Sequence, residues 1–198
     1  MARVYAILYD DSHIYVPIKA DTYPNGAPAD YRTMPVFFGG RIDTGETEST
    51  QLKKEIREES QGNYELPDAF SITDNNVEQI VYDNPLAGYS FYKINIATAG
   101  DLKTRNAVYT NDVCALLKPG ATNKEKEHGC ILKVPKTSVT GGDVNARVLS
   151  FVASCGTKSY TKYGGTVRAC CSDAGGAVQF NGSQTKKAYE KFFENYHA

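Results

Sequence analysis

Three glutamates in the helix predicted at residues 47–60 are spaced in a way that suits metal chemistry. Glu55, Glu58 and Glu59 follow the pattern i, i+3, i+4, so their carboxylates fall within about one third of the helix circumference. Like charges at this spacing destabilise an isolated helix by roughly 0.2–0.5 kcal/mol per pair. A positive group is therefore expected to compensate them.

The compensating charge has two possible sources. Lys53, Lys54 and Arg57 lie nearby in the sequence, and with them the segment would be an ordinary solvated charged surface, which is the commoner arrangement. The other source is a bound cation. The pair Gly39-Gly40 before the helix favours the cation, because glycine lets the backbone approach a ligand closely and leaves a carbonyl free to face it.

An oxygen-rich site of this kind suits Mg2+, a hard octahedral cation that keeps several waters and is commonly completed by substrate phosphates. Between the protein and a pyrophosphate, the ion would neutralise phosphate oxygens and lower the pKa of a coordinated water. One of the glutamates could accept that water's proton. The chemistry indicated is hydrolysis of a phosphoanhydride bond.

The segment from Gly40 to Gly62 resembles the Nudix box, G-x5-E-x7-R-E-U-x-E-E-x-G-U, where U is a bulky aliphatic residue. The positions that match in register are Gly40, Glu46, Glu55, Ile56, Glu58 and Glu59. This many fixed positions are not expected to match by chance. The resemblance implies a Nudix hydrolase.

Two positions depart from the box. Lys54 stands where the family has arginine, and Gln61 stands where it has glycine, with Gly62 one position later. In the family the arginine orients a catalytic glutamate through a planar fork, which lysine cannot reproduce, so Lys54 is expected to hold Glu55 less firmly. The displaced glycine suggests that the helix or its cap is one residue longer.

The resemblance also implies a fold and a set of site residues. The fold is the Nudix fold of the α+β class, an α/β/α sandwich with a mixed β-sheet between helices. Mg2+ or Mn2+ would be bound by Glu55, Glu58, Glu59 and the Gly39 carbonyl, and the catalytic set would be the same three glutamates with Lys54.

Further candidates lie around this centre. Arg41, beside the glycine pair, could reach phosphates, and Glu46 is a fixed position of the box, so both are candidate cofactor-binding residues. Many family members take another acidic ligand from a later loop, and Glu127, or else Glu125, is the candidate here. His128 is of interest only if its loop faces the site, and it is not expected to be a catalytic base.

Hydrophobic patterns predict the elements that position these residues. A buried strand at residues 3–9 and a partner at 13–18 form a hairpin, and a short strand at 36–38 runs into the glycine pair. Further strands are predicted at residues 69–73, 77–82, 89–97, 131–134 and 148–153. An amphipathic helix at 183–197, with Ser183 as N-cap, closes the chain.

Composition bounds the class of protein. The 198 residues, of which 41% are hydrophobic and 23% charged, suit one soluble Nudix domain over residues 1–198 with a Gly/Ser/Thr-rich extension before the last helix. The absence of a signal peptide and of an 18-residue apolar run predicts a cytoplasmic protein. Five cysteines form an odd set without a Cys-x-x-Cys pair, which predicts reduced thiols, although the role of Cys155, Cys170 and Cys171 stays open.

Two functions follow from these patterns. The first is a Mg2+-dependent hydrolase of a nucleotide sugar, dinucleoside polyphosphate, nucleoside triphosphate or similar diphosphate. The second is a nucleotide-binding or protein-interaction module of the same fold with weak or no catalysis, which Lys54 and Gln61 would favour. The chain lacks a basic stripe with interleaved aromatics, so nucleic acid is not an expected partner except as a capped RNA end.

Overall fold

The computed structural model describes residues 1–19, 36–60, 62, 64–97, 103–104, 114–116, 128–135, 160–162, 165–167 and 183–196. Within these residues the helices are α1 (Glu48–Glu59) and α2 (Ser183–Tyr196). The strands are β1 (Arg3–Tyr9), β2 (His13–Lys19), β3 (Phe38–Arg41), β4 (Tyr64–Glu65), β5 (Val77–Gln79), β6 (Tyr89–Asn95), β7 (Lys103–Thr104), β8 (Cys114–Leu116), β9 (His128–Pro135), β10 (Tyr160–Lys162) and β11 (Gly165–Val167).

Strand β1 is the centre of a mixed sheet. Its sequence RVYAILY is rich in β-branched, aromatic and aliphatic residues, which suits a strand covered on both faces. Along one edge it pairs parallel to β6, with Arg3 opposite Tyr89 and Tyr9 opposite Asn95. Along the other edge it pairs antiparallel to β3 and then to β2. Within the described residues the strand order is β5-β6-β1-β2-β9-β8, with β3 joined to β1.

The two helices cover opposite faces of this sheet. Since successive side chains of a strand point to opposite faces, Val4, Ala6 and Leu8 share one face, and they belong to the same buried cluster as Leu52 and Ile56 of α1. The other face carries the aromatic residues that contact α2. The predicted α+β class, with a mixed sheet between helices, is confirmed.

Helix α2 is held on its face by aromatic contacts and by hydrogen bonds. The rings of Phe37 and Tyr189 lie 4.4 Å apart, and those of Tyr9 and Phe192 lie 5.7 Å apart. The Tyr189 hydroxyl donates to the Val36 carbonyl at 2.7 Å, so its polar atom is satisfied although the side chain is buried. Burial raises the pKa of Tyr189 well above its ordinary value, which keeps the hydroxyl a donor.

One predicted strand is wrong. Residues 69–73 form turns instead, because their backbone N–H groups donate to acceptors in the turn itself and on α1. Phe70 N–H donates to the Pro67 carbonyl, Ser71 N–H to the Asp74 carboxylate at 2.8 Å, and Ile72 N–H to the Ser49 hydroxyl. The turn-forming Pro67 and Asp74 outweigh the apolar residues between them.

The other predicted elements differ mainly in their bounds. Strand β3 contains the glycine pair instead of ending before it, and β9 begins at His128, three residues earlier than predicted. The strand predicted at residues 148–153 and the residues Cys155, Cys170 and Cys171 lie outside the described residues. In the part of the chain that the structure describes, neither helix has the length and apolarity to cross a bilayer.

Candidate functional site

Helix α1 is defined at both ends by its own sequence. Thr47 and Thr50 form a capping box: the Thr47 hydroxyl accepts from the Thr50 N–H at 3.2 Å, and the Thr50 hydroxyl accepts from the Thr47 N–H at 2.9 Å. At the other end the Gly62 N–H donates to the Arg57 carbonyl at 2.7 Å. The predicted helix and its end near Gly62 are confirmed, so the three glutamates share a face as the spacing requires.

The glutamates of this face differ in exposure. Leu52 and Ile56 fix α1 on the sheet by complete burial. Next to them Glu59 is 5% exposed, whereas Glu55 and Glu58 are half-buried. The helix thus presents two carboxylates towards solvent and keeps the third against the sheet.

The glycine pair lies against this face because β3 is paired to β1. Gly39 has a φ of +134°, and a Cβ there would stand 2.1 Å from the Val4 carbonyl oxygen, so no other residue fits. Gly40 lies opposite Val4, on the side that α1 covers. A Cβ at Gly40 would stand 2.8 Å from Oε1 of Glu55. The absence of a side chain at Gly40 leaves the space that the Glu55 carboxylate occupies.

The buried carboxylate of Glu59 joins three elements. Its Oε2 accepts from the Gly39 N–H at 2.8 Å. Its Oε1 lies 3.8 Å from Nδ1 of His128, the first residue of β9, whose side chain is fully buried. This distance makes an ion pair when the imidazole is protonated. Glu59 therefore ties α1 to the glycine pair and to β9.

His128 is a site residue that the sequence analysis set aside. The start of β9 would have been the signal for it. Strand β9 pairs with β2, with His128 opposite Lys19. A strand that begins at residue 128 brings the His128 side chain beside Glu59 of α1. The sequence pattern placed the start of the strand at residue 131, which left His128 in a loop.

Gln51 is a second residue that the sequence analysis missed. It is 1% exposed and bridges two parts of the box. Its Nε2 donates to Oε1 of Glu55 at 2.7 Å, and its Oε1 accepts from the Asp43 N–H at 3.1 Å. The signal was the i, i+4 spacing of Gln51 and Glu55 on one helix face.

Lys54 forms an ion pair with the turn that precedes α1. Its Nζ lies 2.5 Å from Oδ2 of Asp43. The hydrogen bond and the charge of Asp43, with smaller contributions from Glu58 and Glu55, raise the pKa of Lys54. The ammonium is therefore charged at neutral pH and is engaged mainly by Asp43.

Other candidates lie at the rim or beyond it. Arg41, the last residue of β3, and Glu46, in the turn before α1, are exposed, which leaves them accessible to a ligand. Glu125 and Glu127 are outside the described residues, so a further acidic ligand stays a prediction.

At the start of α1 Glu48 accepts from the Tyr92 hydroxyl at 2.7 Å. Burial first, and then this bond, raises the pKa of Tyr92, so Glu48 is occupied in attaching the helix to β6.

The donor chemistry fits a hard divalent cation. Within the described ranges, no three side chains of His, Cys, Asp or Glu are grouped so that they could hold a metal ion unaided. Mg2+ does not require such a cage, since it keeps several waters and uses one or two carboxylates together with substrate phosphates. The half-buried carboxylate of Glu55, which lies against Gly40, and that of Glu58 on the same helix are donors of the kind it prefers.

Neither a family model nor a curated protein sequence matches the chain. Among solved structures, it is similar to the NUDIX domain of Shewanella oneidensis NrtR complexed with ADP ribose, with a TM-score of 0.36 and 12% identity over 70% of this chain and 75% of that one. A MutT protein from Methanosarcina mazei Go1 gives a TM-score of 0.36 and 12% identity, over 76% and 88% of the two chains.

A third solved structure, an ADP compounds hydrolase, aligns with a TM-score of 0.36 and 15% identity. The alignment covers 69% of this chain and 59% of the hydrolase.

Proposed function

We propose that the chain is a divalent-metal hydrolase of the Nudix type that cleaves a phosphoanhydride bond in a nucleoside diphosphate-linked substrate. The observation that carries the proposal is the contact between α1 and the glycine pair. The Gly39 N–H binds Glu59, and Gly40 leaves the space that the Glu55 carboxylate occupies. The glycine pair and the glutamates of α1 are therefore adjacent, which supports a shared set of oxygen ligands.

Mg2+ or Mn2+ would be held at this surface by Glu55, Glu58 and Glu59 and by the carbonyl of Gly39. When bound, the ion supplies Lewis-acid neutralisation of phosphate charge and a water of lowered pKa. Glu127 would be a further ligand from the segment that leads into β9. All of these donors are oxygen atoms, which is the preference of both cations.

The protein's own residues supply the remaining parts of the reaction. Glu55 and Glu58 are half-buried, so each is accessible to water and is able to accept a proton at a carboxylate oxygen. Arg41 at the end of β3 offers a guanidinium to the substrate phosphates. Lys54 fixes the turn at Asp43 and adds positive charge beside the carboxylates, and Glu46 lies in the same turn.

The proposed substrates are small molecules that carry a pyrophosphate linkage. Nucleotide sugars, dinucleoside polyphosphates and nucleoside triphosphates all present the phosphate groups that such a site would neutralise. ADP-ribose, the ligand in one of the similar structures, is the natural first probe. A cytoplasmic location with reduced cysteines belongs to the same proposal.

The proposal is tested by titrating Mg2+ and Mn2+ against a panel of these substrates and measuring the nucleotide products. We expect turnover that depends on metal, and we expect E58Q to lower kcat by about 100-fold or more. Glu194→Gln is the matched control, since Glu194 is exposed on α2 and away from the site. Metal-independent turnover, or full activity of E58Q, would contradict the metal site.

A binding module without efficient catalysis is the second candidate function. The observation that favours it is the engagement of Lys54 by Asp43 at 2.5 Å, because this cation is then directed mainly to the turn. A binder would give a saturable calorimetric titration with ADP-ribose and Mg2+ but no product after prolonged incubation. Product formation at a rate that E58Q abolishes would exclude it.

A further inference from the structure

Gln51 occupies a position from which it controls the carboxylate of Glu55. The side chain is 1% exposed, and a buried amide has to satisfy both of its polar ends. Its two partners are the Asp43 N–H at 3.1 Å and Oε1 of Glu55 at 2.7 Å. The amide therefore spans the distance from the turn before α1 to the centre of the helix.

The orientation of this amide is fixed by its partners. An amide oxygen accepts and an amide nitrogen donates, and the Asp43 N–H is a backbone donor that cannot accept. The oxygen of Gln51 must consequently face Asp43, which leaves the NH2 group facing Glu55. A carboxylate that accepts from this NH2 has a defined direction.

The same oxygen of Glu55 is confined from a second side. The α-carbon of Gly40 stands so close that an added Cβ would be 2.8 Å from Oε1. Lys54, one residue before Glu55, directs its Nζ to Asp43 at 2.5 Å. The neutral amide of Gln51 therefore donates directly to Glu55, whereas the Lys54 ammonium is directed to Asp43.

We infer that Gln51 is a positioning residue for Glu55: its amide holds Oε1 against Gly40 and so sets the direction of the carboxylate at the proposed metal site. This inference rests on the proposed function, because it assigns a purpose to one carboxylate of that site. It extends the site to a residue outside the fixed positions of the box. Asp43 takes part as well, since its N–H sets the direction of the amide and its carboxylate binds Lys54.

A first test uses the metal-free protein and needs no activity. The side-chain amide of Gln51 should give NMR signals that exchange slowly with solvent, because the group is buried and hydrogen-bonded. E55Q should move these signals strongly, whereas E58Q, the same change farther along the helix, should move them little. Fast exchange, or signals unaffected by E55Q, would overturn the contact.

A second test measures the consequence for the metal and for turnover. Gln51→Met keeps the length of the side chain and removes its hydrogen bonds, so we expect about 10-fold weaker Mn2+ binding by electron paramagnetic resonance. We also expect kcat to fall by about 10- to 100-fold with KM nearly unchanged. Gln79→Met on exposed β5 is the control for the same chemical change.

The outcomes separate the two proposals. If the native chain hydrolyses none of the substrates, the proposed function fails, while the NMR test still reports whether Gln51 holds Glu55. If the native chain is active and Gln51→Met retains native kcat and native Mn2+ affinity, the positioning role is wrong and the proposed function stands. A rise in KM alone would also overturn the positioning role, because it would indicate a substrate contact.

Discussion

Gly40→Ala adds one methyl group beside Glu55 and so tests whether the contact between Gly40 and the Glu55 carboxylate matters. The Cβ of an alanine there would stand 2.8 Å from Oε1 and 3.3 Å from Cδ of Glu55. The atom that has to move is the end of a flexible side chain and not backbone. Gly40 also lacks a positive φ, so alanine adds no backbone strain at this position.

We therefore expect Gly40→Ala to separate activity from stability. The free energy of unfolding should change by less than about 1 kcal/mol, because Glu55 can rotate away. The displaced carboxylate should lower kcat by about 10- to 100-fold, as expected for a misplacement of about 1 Å. Urea unfolding and steady-state kinetics on the same preparation measure the two effects.

Gly45→Ala is the counterpart with the opposite expectation. Gly45 has a φ of +88°, and no heavy atom lies within 4 Å of its missing Cβ. Alanine there should cost about 1–2 kcal/mol of stability through backbone strain and leave kcat near the native value. Equal losses of activity in the two variants would show that the contact at Gly40 has no special role.

The residues of the site were predictable to the extent that the box fixes their register. The shared face of Glu55, Glu58 and Glu59 and the closeness of the glycine pair follow from helix geometry and from sequence order. His128 was missed because only the folded chain brings it to Glu59. Gln51 was missed although its i, i+4 spacing to Glu55 was a signal, because a single glutamine on a helix has no mark of its role until Asp43 is seen beside it. The ligand set itself, including Glu127, stays a prediction.

Asp10 organises the turn between β1 and β2. Its Oδ1 accepts from the N–H groups of Ser12 at 2.8 Å and His13 at 2.6 Å, and its Oδ2 accepts from the Tyr15 hydroxyl at 2.8 Å. Partial burial would raise the pKa of Asp10, but these hydrogen bonds outweigh it and hold the pKa below its ordinary 3.8. The hairpin is therefore stabilised by the ionised carboxylate.

This shift predicts how the stability of the hairpin depends on pH. Because the pKa is lower in the folded state, the stabilisation is present above pH 3.8 and is lost as the pH falls through the folded value. Asp10→Asn should lower the free energy of unfolding by about 1–2 kcal/mol at neutral pH. The difference from the native chain should disappear in acid.

Urea unfolding at a series of pH values measures this difference. Asp11→Asn is the control, since Asp11 is the exposed neighbour in the same turn and should change stability by less than about 0.5 kcal/mol. A deficit of Asp10→Asn that stays constant into acid would mean that the charge of Asp10 has no part in it.

Elements whose sequence has a clear helical or alternating pattern were predicted well. Segments that mix apolar residues with turn-forming residues were not. The helix α1 and the strand β6 lie within the predicted ranges because one has uninterrupted helix formers and the other alternates. Residues 69–73 were assigned to a strand from their apolar members, yet turn hydrogen bonds to Asp74 and Pro67 and a hydrogen bond to the Ser49 hydroxyl determine their backbone. Local polar acceptors of this kind leave only a weak trace in hydrophobicity.

At the scale of the molecule, the sheet separates two helices with different tasks. Helix α1 carries the site on one face, and α2 covers the other with Tyr189, Phe192 and Phe193, each 1% exposed. No described side chain of α2 belongs to the buried cluster that contains Leu52 and Ile56. Damage to α2 should therefore change stability without changing the chemistry of the site.

Phe192→Ala tests this separation. Phe192 contacts the rings of Tyr9 and Phe193, and its removal should cost about 3–5 kcal/mol of unfolding free energy. At a temperature well below the unfolding midpoint, kcat and KM should stay near native values. Calorimetry and kinetics measure the two effects, and a loss of kcat in the fully folded variant would show that α2 reaches the site.

The placement of β1 also affects how the protein folds. Its antiparallel neighbours β2 and β3 follow soon in the chain, but its parallel partner is β6, with Arg3 opposite Tyr89. A pairing between such distant segments carries a large loop-closure cost and forms slowly. The strand that supports the glycine pair thus gains its last neighbour late, so the site is expected to be among the last parts of the fold to become rigid.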